Sequence, residues 1–319
     1  MQTYLAPLTR GAPGAFGLRD DAALISPEPG TDLVFTSDPI IAGVHFFPTD
    51  RPADIAWKAL AVNASDLAAK GARPLAYILN LAFPQPPERD WMRSFADGLG
   101  AAQESFGCHL IGGDTDLTPG PLSIGVTIIG AVPSGQFVRR QGAAPGDHVF
   151  VTGTIGDSAL GLRAYTNPVA FPNLTAEERS YLIARYLRPT PRLALGETLR
   201  TYASAALDVS DGLMKDLTRI AGPLGLTLDF GRIPLSKVAA AALAQDERVS
   251  HDILSGGDDY ELLIAVPPGS VVNFEDAAKA IGVGVRDLGA LEEGISLSVV
   301  GANGTPMVIE RLGYDHFSR

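Results

Sequence analysis

Cysteine occurs once in the 319 residues, as Cys108, so no internal disulfide forms and nothing in the fold depends on an oxidising compartment. Cys108 lies between Gly107 and His109 and reads as a small buried filler. Positive charge is also short. Lys and Arg number 25 against 36 Asp and Glu, a formal net charge of −11, with no basic run to track a phosphate backbone. Nucleic acid is therefore excluded as the expected partner. The longest strongly apolar stretch, 122–132, is too short for a bilayer span and is interrupted by Gly125 and Gly130. Residues 1–17 hold Pro7 and Pro13 and no apolar run, so the expectation is a cytoplasmic protein without a signal or transit peptide. Common catalytic signatures are missing as well: no Walker-type phosphate loop, no nucleophile elbow and no H-E-x-x-H pair. His45, His109, His148, His251 and His316 are scattered without zinc-ligand spacing.

What the chain has is a 46% hydrophobic composition with 19% charged residues, enough apolar matter for a large core and too much for disorder. Glycine (35) and proline (24) punctuate a mixed pattern. Strands are expected over 33–36, 75–83, 109–111, 122–132, 148–152, 205–209, 226–230 and 262–266. Helices are expected over 52–70, 88–106, 176–187, 192–202 and 213–221, with Gly71 capping the first and Pro74 barring its continuation. The strands near 109–111 and 122–132 read as a long hairpin-like pair. This alternation gives an α/β chain of α+β layers. The polar, glycine-rich stretch 133–145, with Arg139 beside Arg140, divides it into domains 1–136 and 137–319.

Aspartate recurs near strand ends, usually beside glycine: Asp20-Asp21, Asp38, Asp114 after Gly112-Gly113, Asp208 and Asp211, and Asp258-Asp259 after Gly256-Gly257. Any one of these fits a turn. Asp66 does not, because it lies inside a helical pattern, on one face with Asn63 and Ala59. Were several such carboxylates to converge, each pair at 4 Å would repel by roughly 4 kcal/mol at an effective dielectric of 20. Such a cluster persists by protonating or by binding cations. Carboxylates with the hydroxyls of Thr36 and Ser37 form a hard oxygen set suited to Mg²⁺, which shares the oxygens of a polyphosphate. The pairs Gly112-Gly113 and Gly256-Gly257 would let backbone N–H groups approach an anion. The Gly153 to Gly156 loop reads either as a plain turn or as a helix N-terminus offered to phosphate.

Taken in order, these blocks resemble the thiamine-monophosphate kinase family, within the superfamily of aminoimidazole ribonucleotide synthetase. The blocks are Asp20-Asp21; Ser37-Asp38 with Ala42-Gly43-Val44-His45; Lys58 through Asn63 to Asp66; Ile111-Gly112-Gly113-Asp114; Gly153 to Asp157; Asp208-Val209-Ser210-Asp211-Gly212; Ser255 to Leu262; and the tail from Gly313-Tyr314 to Phe317. The resemblance implies a two-domain fold whose N-terminal domains pair into a barrel in a homodimer, with ATP in a cleft between the domains. It implies phosphorylation of thiamine monophosphate by ATP with several Mg²⁺ ions. Carried over position by position, it makes Asp21, Thr36, Ser37, Asp38, Asp66, Asp114, Asp208 and Asp211 metal ligands. Gly113, Asp114, Arg140 and Ser210 become nucleotide contacts, and His45, Glu261 and Tyr314 thiamine-phosphate contacts. Arg139 and Lys58 would add positive charge. The chain departs from the family at Arg19, Pro39 and Ala144, where glycine, threonine and lysine are usual.

Two other readings stand beside this one. One is an ATP-using synthetase of the same superfamily that activates an amide or a selenide; the selenide version requires a reactive cysteine near the N-terminus, which this sequence lacks. The other is a nucleotide-binding module without catalysis.

Overall fold

The computed structural model describes residues 1–301 and 303–315; His316 and Phe317 of the resembling tail lie outside the described residues. The chain divides into two compact units, residues 1–68 with 72–137, and residues 69–71 with 138–319.

The first unit runs α1 (Gln2–Leu5), two 3₁₀ turns, β1 (Thr31–Ile41), α2 (Pro52–Ala69), β2 (Arg73–Phe83), α3 (Arg89–Phe106), β3 (His109–Leu117) and β4 (Ser123–Pro133). Its sheet has the order β1-β4-β2-β3. β3 runs parallel to β2 through the α3 crossover, and β4 is antiparallel to both β1 and β2. The expected pairing of β3 with β4 is thus corrected: β2 lies between them, because the crossover sets β3 at the far edge. α2 is buried along most of its length, with Ala59, Leu60, Ala61, Ala64, Leu67 and Ala68 fully buried. Such a helix belongs to a core rather than a surface. Trp91 of α3 stacks on Phe95 and meets Phe83 edge-on, fixing α3 against the end of β2. Cys108 is fully buried, and that burial pushes its thiol up to about 12.

Two strands are longer than their apolar runs suggest. β1 continues through Thr36, Ser37, Asp38 and Pro39, and β3 through Gly112 to Asp116. Backbone pairing with the neighbouring strands, not hydrophobic pattern, carries these polar ends.

The second unit contains β5 (His148–Thr152), α4 (Asp157–Thr166), α5 (Ala176–Leu187), α6 (Gly196–Tyr202), β6 (Ala205–Asp208), α7 (Leu213–Ala221), β7 (Thr227–Asp229), α8 (Lys237–Gln245), α9 (Val249–Ser255), β8 (Leu262–Val266), α10 (Val271–Ala280), β9 (Val285–Ala290) and β10 (Ser298–Val300). The helix expected over 192–202 is a 3₁₀ turn, Leu193–Leu195, leading into α6. An antiparallel sheet of order β6-β8-β5-β9 forms the middle, and β7 pairs with β10. β8 is buried along its whole length, as a central strand covered on both faces must be. Among the described residues, no helix is long and apolar enough to cross a membrane.

Candidate active site

In the first unit the geometry begins at the exposed edge of the sheet. β1 has a partner on one side only, so its outer backbone groups need another. Asn63 of α2 supplies it. The Asn63 carboxamide accepts from the Asp38 N–H at 2.8 Å and donates to the Asp38 carbonyl at 3.2 Å, while also donating to Ala59 one turn back. One turn along the same helix face, Asp66 accepts a hydrogen bond from Thr36 Oγ1 at 2.5 Å. Thr36 and Asp38 are alternate residues of a strand and so share a face. Partial desolvation of its carboxyl, and then the neighbouring Asp66 charge, push Asp38 from 3.8 up to about 6. Thr36, Asp38 and Asp66 therefore make one compact acidic group. Two carboxylates and a hydroxyl, held close enough to raise one carboxyl's affinity for a proton, fit a hard divalent cation.

The other expected ligands of this unit do not join that group. Ser37 points to the opposite face, where its hydroxyl lies 2.8 Å from Thr127 Oγ1. Asp38 stands opposite Val126, which stands opposite Leu79, whereas Asp114 stands opposite Asn80. Leu79 and Asn80 are successive residues of β2, so the pleat sends Asp38 and Asp114 out on opposite faces. Asp114 accepts the N–H of Thr115, and its own N–H donates to Asn80. Asp21 is exposed, with its N–H on Asp20. Within either unit, among the described residues, no group of three His, Cys, Asp or Glu side chains stands placed to hold a metal ion. Within the first unit, the carboxylates brought into contact are Asp38 and Asp66.

Gly113 has φ +142°, and a Cβ there would lie 1.8 Å from the Leu79 carbonyl oxygen. Its glycine is required by the close approach of β2. His45 closes a turn after β1, its Nδ1 accepting from the Ile41 N–H at 3.0 Å. Lys58 is buried and donates to the His45 carbonyl at 3.0 Å, which ties α2 to that turn. Around the Arg19 departure, the positive φ values fall on Phe16, Gly17 and Leu18, while Arg19 keeps an ordinary φ of −116°.

In the second unit, Asp208 ends β6 and is buried. Ser210 and Asp211 form the turn into α7, and both their N–H groups donate to Asp216 Oδ2. Asp211 faces Lys215 at 3.0 Å and Arg219 at 2.5 Å. Arg139 and Arg140 are exposed. Tyr314 is 47% exposed.

Glu261 is fully buried. It accepts from Thr152 Oγ1 at 2.6 Å, from Arg185 at 2.9 Å and from both ends of the Arg192 guanidinium, one of them at 2.6 Å. Gly153 admits this cluster, since a Cβ there would lie 2.3 Å from Glu261 Oε1. In this arrangement the Glu261 carboxylate holds two arginines and β5. The glycine expectations also change. The Gly156 and Ser158 N–H groups at the start of α4 donate to the buried Asp259, whose carboxyl burial pushes up to about 7. That helix N-terminus is closed by the protein's own carboxylate. Cβ atoms at Gly256 and Gly257 would lie 2.2 Å from Ala159 Cβ and 2.3 Å from the Ser210 carbonyl oxygen, so these glycines serve close packing.

Residues 19–132 match the family described as AIR synthase related protein, N-terminal domain. A thiamine-monophosphate kinase of Caulobacter vibrioides is 42% identical over 98% of this chain and 88% of its own length. The chain belongs to the thiamine-monophosphate kinase family. The crystal structure of thiamine-monophosphate kinase from Stenotrophomonas maltophilia K279a superposes with a TM-score of 0.81 at 38% identity, covering 91% of this chain and 90% of that one. AaThiL complexed with AMPPCP and TMP superposes with a TM-score of 0.79 at 29% identity, covering 92% and 89%. The mixed α/β architecture described above is thus that of the thiamine-monophosphate kinases. Sequence reasoning missed Asn63 as the residue that sets Asp38, although its place on the Asp66 face was the available signal.

Proposed function

We infer that this chain phosphorylates thiamine monophosphate with ATP, giving thiamine diphosphate and ADP. The observation that carries the reading is 42% identity over 98% of the chain with a thiamine-monophosphate kinase, joined by structural likeness to AaThiL complexed with AMPPCP and TMP. An oxygen of the acceptor phosphate attacks the γ-phosphorus of ATP, and the bond from that phosphorus to the bridging oxygen breaks with its electron pair leaving on ADP. The acceptor oxygen is already anionic near neutral pH, so this chain needs no general base. Its task is to align two anions and offset their repulsion.

Thr36, Asp38 and Asp66 would hold Mg²⁺. When bound, Mg²⁺ supplies the positive charge that offsets phosphate repulsion. Asp21, Ser37, Asp114, Asp208 and Asp211 are the further ligands this reading assigns. Gly113, Arg140 and Ser210 would contact the nucleotide, with His45 and Tyr314 toward the thiamine. The first unit also pairs with a second copy of itself in this reading. Support comes from Phe35, 61% exposed and alternating with the buried Val34 on the face of the sheet away from α2. Sedimentation should find a dimer that Phe35→Asp converts to monomer; an unchanged dimer removes this element of the reading.

The test of function is Asp66→Asn, with product formation followed by chromatography. Loss of one preorganised electrostatic group should lower kcat by at least about 10²-fold. Near-normal turnover at limiting Mg²⁺ would refute the role of this acidic pair, and conversion of an amide substrate instead of thiamine monophosphate would refute the reaction itself.

A further inference from the structure

The C-terminal tail of the second unit is fastened to the first turn of α7 at one residue, Lys215. The first N–H groups of a helix have no partner within it. The Lys215 N–H donates instead to the Leu312 carbonyl at 3.0 Å. Its ammonium group then reaches both the Asp211 carboxylate at 3.0 Å and the Tyr314 carbonyl. The Tyr314 N–H donates to the Asp211 carbonyl at 2.8 Å. Both backbone polar groups of Tyr314 are therefore fixed, one by Asp211 and one by Lys215. Gly313 makes this approach possible, because a Cβ there would lie 2.5 Å from the Asp211 oxygen and 2.7 Å from Lys215 Cβ.

We propose that Lys215 is a positioning residue for substrate recognition: by joining the Asp211 carboxylate to the Tyr314 carbonyl, it holds the Tyr314 ring where thiamine monophosphate binds. A flexible side chain bearing a compact charge is suited to this, since it satisfies a carboxylate and a carbonyl at once. The inference rests on the proposed reading of Tyr314 as a thiamine-side contact. It adds a cause for the tail's placement.

Lys215→Met, Lys215→Arg, Gly313→Ala and Tyr314→Ala test it in the full chain, by steady-state kinetics and by mass spectrometry of carboxypeptidase digests. A charge-assisted hydrogen bond of ordinary strength corresponds to about a tenfold effect. Lys215→Met and Gly313→Ala should each raise KM for thiamine monophosphate by about tenfold and speed removal of Tyr314 similarly. Values of kcat and of KM for ATP should stay within about twofold of wild type, the pattern of lost binding rather than lost chemistry. Lys215→Arg should restore KM to within about twofold of wild type, since it retains a donor with charge. Wild-type trimming and KM in Lys215→Met would overturn the proposal, as would a fall in kcat matching the loss of kcat/KM. The reading beneath it fails separately, if Tyr314→Ala leaves KM for thiamine monophosphate unmoved. A rise in KM for Tyr314→Ala without one for Lys215→Met sinks the Lys215 role alone.

Discussion

Asn63 grips Asp38 by its backbone, its carboxamide taking both the N–H and the carbonyl as a further strand would. This edge contact decides where the Asp38 carboxylate stands relative to Asp66. Asn63→Ala leaves two backbone groups and the Ala59 carbonyl without their present partner. The expected cost is about 1 to 3 kcal/mol in chemical denaturation. Turnover should fall more than that stability loss explains, even at temperatures where the variant is fully folded. A variant with lowered stability and wild-type kcat would show that Asn63 merely closes the sheet edge.

The acidic pair makes a second prediction, in pH. Asp38 has its carboxyl raised from 3.8 to about 6 by desolvation and by Asp66. The folded chain therefore binds more protons than the unfolded chain across that interval, and stability falls as pH rises through it. This contribution is fully present below about pH 4 and gone above about pH 6. Asp38→Asn cannot ionise and escapes the loss. Without divalent ions, the melting temperature of Asp38→Asn should exceed wild type by a margin that widens from pH 4 to pH 7 and then holds constant. Parallel curves over that range would mean that neither burial nor Asp66 raises the Asp38 carboxyl in the folded chain.

How far the site could be read in advance follows from which forces leave a mark in sequence. Asp66 was legible because helical spacing placed it with Asn63 on one face, and that face does meet β1. The ends of β7, α7 and β8 were legible to within a residue or so because apolar periodicity changes there. Sheet register leaves no such mark. It alone determines that Asp38 and Asp114 emerge on opposite faces, since the relation passes through Val126 and Leu79 on two other strands. Buried pairing is equally silent: nothing in the Ser255 to Leu262 block announces that Asp259 caps α4 or that Glu261 holds Arg185 and Arg192.

Glycine at 113 separates a backbone requirement from a ligand contact. Gly112 has open space where a Cβ would stand, while Gly113 has the Leu79 carbonyl at 1.8 Å and a φ of +142°. Gly113→Ala must displace β3 from β2, a cost of about 3 kcal/mol or more by backbone strain and lost pairing. Gly112→Ala should stay within about 1 kcal/mol of wild type. Thermal melts of the two variants check this directly. Equal losses would show that β2 and β3 do not approach as closely as described.

Glu261 distinguishes a structural carboxylate from a substrate contact. Its oxygens meet Thr152, Arg185 and Arg192, with no surface left to solvent. Removing the charge leaves two largely enclosed guanidinium groups facing a neutral partner. Breaking a buried ion pair from one side costs about 3 to 5 kcal/mol. Glu261→Gln should therefore lower the urea midpoint strongly, and Arg192→Gln should do the same. Combining the two changes should cost less than the sum of the singles, because each removes the same interaction. If Glu261→Gln instead leaves the midpoint unchanged and raises only KM for thiamine monophosphate, the carboxylate faces the substrate, and the burial described for it does not hold in the working enzyme.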